Sequence, residues 1–311
     1  MSKETSIWNS DLFQKGNLSH ETRMKILQSL QIQNYTREMK EQLLDRKLRD
    51  FKIKVFLEEY LKTSDYQAFK DYYILGKYST FPWPRPSPVL RDTAEKVLSF
   101  YNITITSIIV GQEDTFTEIT PVPDNDIVTY YLGVMIPEVA KFPFSFYARF
   151  KIMTFKFCGS VILKEEGRYN TGQKKYFNWY FMVEQQKTQE EIINHFLRVL
   201  CFNMLKDDAK FHDEWTKLNP PKKRDLLEDP EERKANEGYI NDRARDSILE
   251  DQFETFIRLL KYPCTTLKHP DEIVKKKAKL MKKKMQKFDE EGIDNKFWSD
   301  RAEEELERLQ Q

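Results

Sequence analysis

The chain is poor in the residues from which most functional signatures are built: its 311 residues include 9 glycines, 4 histidines and 3 cysteines. No Gly-x-Gly-x-x-Gly follows a candidate strand, and there is no phosphate-binding Gly-x-x-x-x-Gly-Lys-Ser/Thr and no nucleophile motif Gly-x-Ser-x-Gly. His20, His195, His212 and His269 lie far apart, with no Cys or His at metal-ligand spacing, so neither a zinc site nor a cofactor is expected. Cys158, Cys201 and Cys264 are odd in number and set in apolar surroundings. They read as buried free thiols of a reducing compartment, and no disulfide framework is expected.

Net charge is lacking too. Fifty-one basic side chains face 50 acidic ones, which leaves +1 and no overall field to draw the protein to nucleic acid or anionic lipid. No window of about 18 residues is free of charge, so no transmembrane helix is expected. The most apolar stretch, 142–163, holds Arg149, Lys151 and Lys156. The first residues have neither the apolar core of a signal peptide nor the acid-free, Arg-rich pattern of a transit peptide. An intracellular protein is expected, in a mitochondrial assembly or, alternatively, in the cytoplasm.

What the chain has is apolar and aromatic mass, 40% hydrophobic and 14% aromatic, ample for a core. The richest segments are 142–163 and 175–184, separated by a turn with Gly167, Asn170 and Gly172. Aromatic and β-branched residues on both sides of such a turn predict a long antiparallel hairpin. Similar content at 103–110, 115–120 and 127–136 predicts further strands in succession. The expected fold class is therefore α+β: N-terminal helices, then a central curved antiparallel sheet of about five strands covered by a buried helix, then an extended helical C-terminal arm. The covering helix starts at the capping box Thr188-Gln-Glu-Glu191 and carries a nearly continuous apolar surface to Leu205.

Four regions follow. Residues 1–80 form a helical N-terminal arm, 81–101 a connector and short helix, 102–206 the central domain, and 207–311 a charged, mostly helical C-terminal arm. The connector, Phe81-Pro-Trp-Pro-Arg-Pro-Ser-Pro88, has proline at every second position and favours polyproline II. It reads as a strap held by Phe81 and Trp83, with a ligand for an aromatic groove as the alternative.

The arms supply the functional expectation. In the N-terminal arm Leu44, Phe51 and Val55 share one helical stripe, and Trp8 lies near the start; in the C-terminal arm Val274, Met281, Met285 and Phe288 form a seam at spacings of four and three, with Trp298 beyond it. Such stripes, together with Trp83, point to contacts with other protein subunits. The expected function is a non-catalytic accessory subunit of a large assembly, bound through these arms. Lysines 275–287, including Lys275, Lys276, Lys282, Lys283 and Lys284, give the first alternative, a ribosome-associated or RNA-binding protein, or a peripheral contact with anionic lipid. The second alternative is a small-molecule binder or enzyme with its site inside the curved sheet. No catalytic residue is assigned, because no catalytic motif is found; carboxylate pairs obey no local spacing rule, which leaves the enzyme alternative open.

Overall fold

Residues 125–139, Asn-Asp-Ile-Val-Thr-Tyr-Tyr-Leu-Gly-Val-Met-Ile-Pro-Glu-Val, form the helix around which the molecule is assembled. Asp124 caps it, its carboxylate accepting the Asp126 N–H at 2.9 Å. Val128, Tyr131, Leu132, Met135, Ile136 and Val139 are all buried, so the helix is covered on every side. Residues 127–136 are therefore helix and not the strand that their β-branched and aromatic content suggests.

The computed structural model describes Asp50, Ile53, Leu57, residues 61–62 and 66–67, and then 88–109, 112–113, 117–150, 152, 154–163, 174–175, 178–183, 188–219 and 238–310. The elements, in order, are α1 Pro88–Phe100, β1 Thr104–Ser107, β2 Gln112–Glu113, β3 Thr117–Thr120, α2 Asn125–Val139, α3 Phe144–Phe150, β4 Thr154–Cys158, β5 Ser160–Leu163, β6 Lys174–Lys175 and β7 Asn178–Met182. They continue with α4 Gln189–Leu205, α5 Ala209–Leu218, a 3-10 turn Arg243–Arg245, α6 Ile248–Lys261, α7 Pro263–Leu267, α8 Glu272–Phe288 and α9 Asn295–Gln310.

The expected five-stranded antiparallel sheet is not formed. One sheet has the order β1-β4-β7-β6, with β1, β4 and β7 parallel and β6 antiparallel at the edge; a second, β2-β3-β5, is antiparallel. Two local features account for the difference. The first half of the supposed long strand is α3. The second half bends out of its sheet at Gly159, so that β4 lies in the first sheet and β5 in the second, paired with β3. A Cβ on Gly159 would lie 2.4 Å from the Pro121 carbonyl oxygen and 2.7 Å from Thr120 Oγ1, so only glycine fits where the chain changes sheet. Because β5 departs there, the chain re-enters the first sheet beside β4 in the same direction, and the expected hairpin becomes a parallel pair.

Period-two alternation sends one side of that pair to the core. Phe155 pairs with Trp179 and Phe157 with Phe181, their rings 5.8 and 5.5 Å apart, and Phe181 meets Phe196 of α4. The Thr188/Glu191 capping box forms as the sequence predicts. The other side of the sheet is more polar: Thr104 and Thr154 share a hydrogen bond, and Lys156 lies 5.5 Å above the Tyr180 ring.

Ile53–Gln311 form one compact unit, and the C-terminal helices belong to its core. Phe256, Leu259, Met281, Met285, Phe297 and Trp298 sit in the same hydrophobic cluster as α2, the sheet and α4. Phe288 at the end of α8 reaches Phe150 and Phe146 of α3 at 4.7 and 5.4 Å. Each fully buried aromatic or large aliphatic side chain stabilises by about 1.5–3 kcal/mol, which is enough to hold these helices against the centre.

Candidate functional site

The expected contact residues divide into two groups. Trp8, Leu44, Phe51, Val55 and Trp83 lie outside the described residues. Val274, Met281, Met285 and Trp298 are buried within the molecule and Phe288 is half-buried, so the apolar seam of α8 faces the protein's own core and the outer side of this helix is the part open to a partner.

Three polar ties hold the C-terminal layer in place. At the first, Lys277, buried in the α8 seam, donates to Asp251 of α6 at 2.6 Å and to the Gly238 carbonyl at 2.7 Å, and its ammonium lies 4.3 Å from the Tyr239 ring. The Trp215 indole donates to the same Asp251 oxygen at 2.8 Å. Burial pushes the Asp251 carboxyl up and the Lys277 ammonium down, against the attraction between them. Asp271, the N-cap of α8, accepts from Ile273 and Val274 and also from the Gly238 N–H, so that α8 grips Gly238 by both its amide and its carbonyl. Gly238 has φ 82°, a left-handed conformation that glycine adopts without strain.

At the second tie Arg301 of α9 is 2% exposed, its guanidinium 5.1 Å from the Phe142 ring and 5.2 Å from that of Phe297. It donates to Glu138, the last acidic residue of α2, at 3.1 Å, and Lys141 meets Glu138 at 2.9 Å and Glu304 at 2.9 Å. Burial alone would raise the Glu138 carboxyl, but Arg301 and Lys141 bring it down to about 2. At the third, Ser145 of α3 donates to Asp289 at the end of α8 at 2.7 Å. Burial raises Asp289, with the Ser145 hydrogen bond opposing.

With its seam buried, α8 turns its lysines other than Lys277 away from the seam, and they separate into two sets. Lys275 pairs with Glu272 at 2.5 Å, Lys284 with Asp208 at 2.5 Å, and Lys282 covers the Trp298 ring at 5.0 Å. The Lys284 hydrogen bond holds Asp208 below its ordinary range. Lys276, Lys279, Lys283 and Lys287 are exposed and, among the described residues, make no ion pair. Steps of three, four and four put these four on one stripe opposite the seam, spanning about 16 Å at 1.5 Å per residue. Of the lysines singled out from the sequence, Lys276 and Lys283 thus belong to the open stripe, whereas Lys275, Lys282 and Lys284 are engaged at home. Lys279 and Lys287 complete it, and the same helical spacing that marks the seam would have found them.

Two of the histidines are engaged internally. His212 donates from Nε2 to the Leu205 carbonyl at 3.1 Å and accepts from Gln252 at 3.0 Å, and His269 accepts from the Asp271 amide. His195 is buried in α4, edge-on to Phe181. Cys158 and Cys201 are buried free thiols and Cys264 is half-buried; burial pushes Cys158 up to about 12. Among the described residues no group of three or more His, Cys, Asp or Glu side chains could hold a metal ion, and no helix is long and apolar enough to cross a membrane.

Comparison of the chain with protein-family models, with curated proteins and with solved structures found no match.

Proposed function

We propose that this protein is a non-catalytic accessory subunit of a large intracellular assembly, docked on an acidic surface of a neighbouring protein through the outer face of α8. The observation that supports it is the open stripe Lys276, Lys279, Lys283 and Lys287 on a helix whose opposite side is anchored in the core. A helix held this firmly presents its charges at fixed spacing, which favours a specific partner over diffuse attraction. Trp8, Leu44, Phe51, Val55 and Trp83 keep their place in the proposal as further subunit contacts.

RNA is the alternative partner of the same lysines. The near-zero net charge of the chain and the exposed acidic flank Glu290 and Glu291 weigh against it. A helix lying on a membrane needs a free apolar face to insert, and that of α8 is occupied. A site inside a curved antiparallel sheet has lost its basis with the sheet.

The test is sedimentation of the tagged protein from native mitochondrial and cytosolic extracts. The expected result is migration far above a single 37.4 kDa chain in one of them, with Lys283→Glu plus Lys287→Glu shifting it toward the free chain at unchanged thermal stability. Migration of the wild type as a free chain in both extracts overturns the proposal.

A further inference from the structure

The last helix carries a pattern that matches the lysine stripe. On α9, Glu303 and Glu307 are exposed and four residues apart, the step that separates Lys283 from Lys287, and Asp300 is exposed one turn before them. At 1.5 Å rise per residue, Glu303 to Glu307 and Lys283 to Lys287 each span about 6 Å, so one stripe can be laid on the other in register. Within one molecule the stripes do not meet. Each lies opposite the buried side of its own helix, Val274, Ala278, Met281 and Met285 on α8 and Phe297, Arg301 and Glu305 on α9.

We propose that the acidic surface met by the lysine stripe of α8 is α9 of a second copy of this chain. This rests on the reading of α8 as a docking face. A two-fold axis lets each copy give its lysines to the acids of the other, so the contact is made twice and closes as a dimer. The charges of the chain support a self-complementary partner: 51 basic and 50 acidic side chains nearly cancel overall, while α8 and α9 concentrate opposite signs on their outer faces. Beside the acids, Leu306 and Leu309 are 57% and 66% exposed, and Leu280 is half-buried next to the lysines, which adds an apolar border to the contact.

Two local pairs set its centre. Glu272 lies near Lys276 and Lys279, and Lys296 pairs with Asp300 at 2.7 Å and lies near Glu303, so the groups least engaged at home are Lys283 and Lys287 on one side and Glu307, with Glu303 beside it, on the other. Exposed ion pairs contribute little singly and are screened by salt, so the dimer is weak and salt-sensitive.

The experiment is sedimentation equilibrium of the purified full chain at roughly 50 mM and roughly 500 mM salt, a range over which screening of exposed pairs changes severalfold. The expected result is a dimer at low salt that dissociates at high salt. Lys283→Glu with Lys287→Glu, and separately Glu303→Lys with Glu307→Lys, each weaken it at least about tenfold. A one-to-one mixture of the two variants restores it, which shows that both remain folded. A wild type that stays monomeric at low salt up to roughly 100 μM, weaker than the usual range for specific association, overturns the proposal. So does a dimer indifferent to both reversals, or a lysine reversal that abolishes binding of a fluorescent uridine oligonucleotide while the dimer persists. If the purified wild type is monomeric and Lys283→Glu with Lys287→Glu still releases the protein from its native assembly, the docking face stands and the second copy is ruled out as its partner.

Discussion

Arg301 and Glu138 are 163 positions apart in the chain and 3.1 Å apart in the structure, with the guanidinium lying against the rings of Phe142 and Phe297. Removing Arg301 leaves the buried Glu138 with Lys141 alone, and removing Glu138 leaves the buried Arg301 with only Glu304 at 3.6 Å. Arg301→Ala is expected to cost on the order of 3–5 kcal/mol in urea unfolding, whereas Arg301→Met combined with Glu138→Leu recovers most of that loss because no charge is left buried. A double variant no more stable than the single one would show that the pair is not what fixes α9 to α2.

The same pair predicts an acid limb. Glu138 falls from an ordinary 4.5 to about 2 in the folded protein, so its contribution is fully present above about pH 4.5 and is lost as pH falls toward 2. The shift corresponds to about 3 kcal/mol. Stability measured across that interval should decline more steeply for the wild type than for Glu138→Gln, which has no proton to take up there.

Deleting 295–311 tests whether the C-terminal helices are an arm or part of the core. Phe297 and Trp298 leave with α9, Phe142 loses its cover, and each lost large aromatic costs about 3–5 kcal/mol, comparable in sum with the total stability of a domain. The truncated chain is expected to lose its cooperative thermal transition. An unchanged transition would return α9 to the status of an appendage.

Gly159→Ala is expected to destabilise by about 1–3 kcal/mol, read as a lower melting temperature, because the new methyl group would press on the Pro121 carbonyl, which is backbone and cannot swing aside.

The chain disclosed some of this architecture and hid the rest for physical reasons. The α8 seam and the α4 capping box were legible because each is a local pattern, spacing in one case and Thr188 with Glu191 in the other. Residues 127–136 misled because a helix buried on all sides has no polar face to mark its period, and β-branched and aromatic content then speaks for a strand. The clues were Asp124 as a cap and an apolar run reaching Val139. The parallel pairing of β4 with β7 was not legible, since it depends on β5 leaving the first sheet for a partner some 40 residues earlier in the chain. At the candidate site, periodicity identified which side of α8 is apolar. It could not say whether that side would be buried by the same chain or by another, because both solutions select the same residues.

Gly238 is held at its amide by Asp271 and at its carbonyl by Lys277, and the helices that follow it share their interior with those that come before Asn219. Residues 88–219 and 238–310 are therefore two pieces held to each other by that interior as well as by the chain. The two pieces, produced independently, should find each other and assemble into a nicked form that behaves as one body, which offers a split version of this molecule without any added linker.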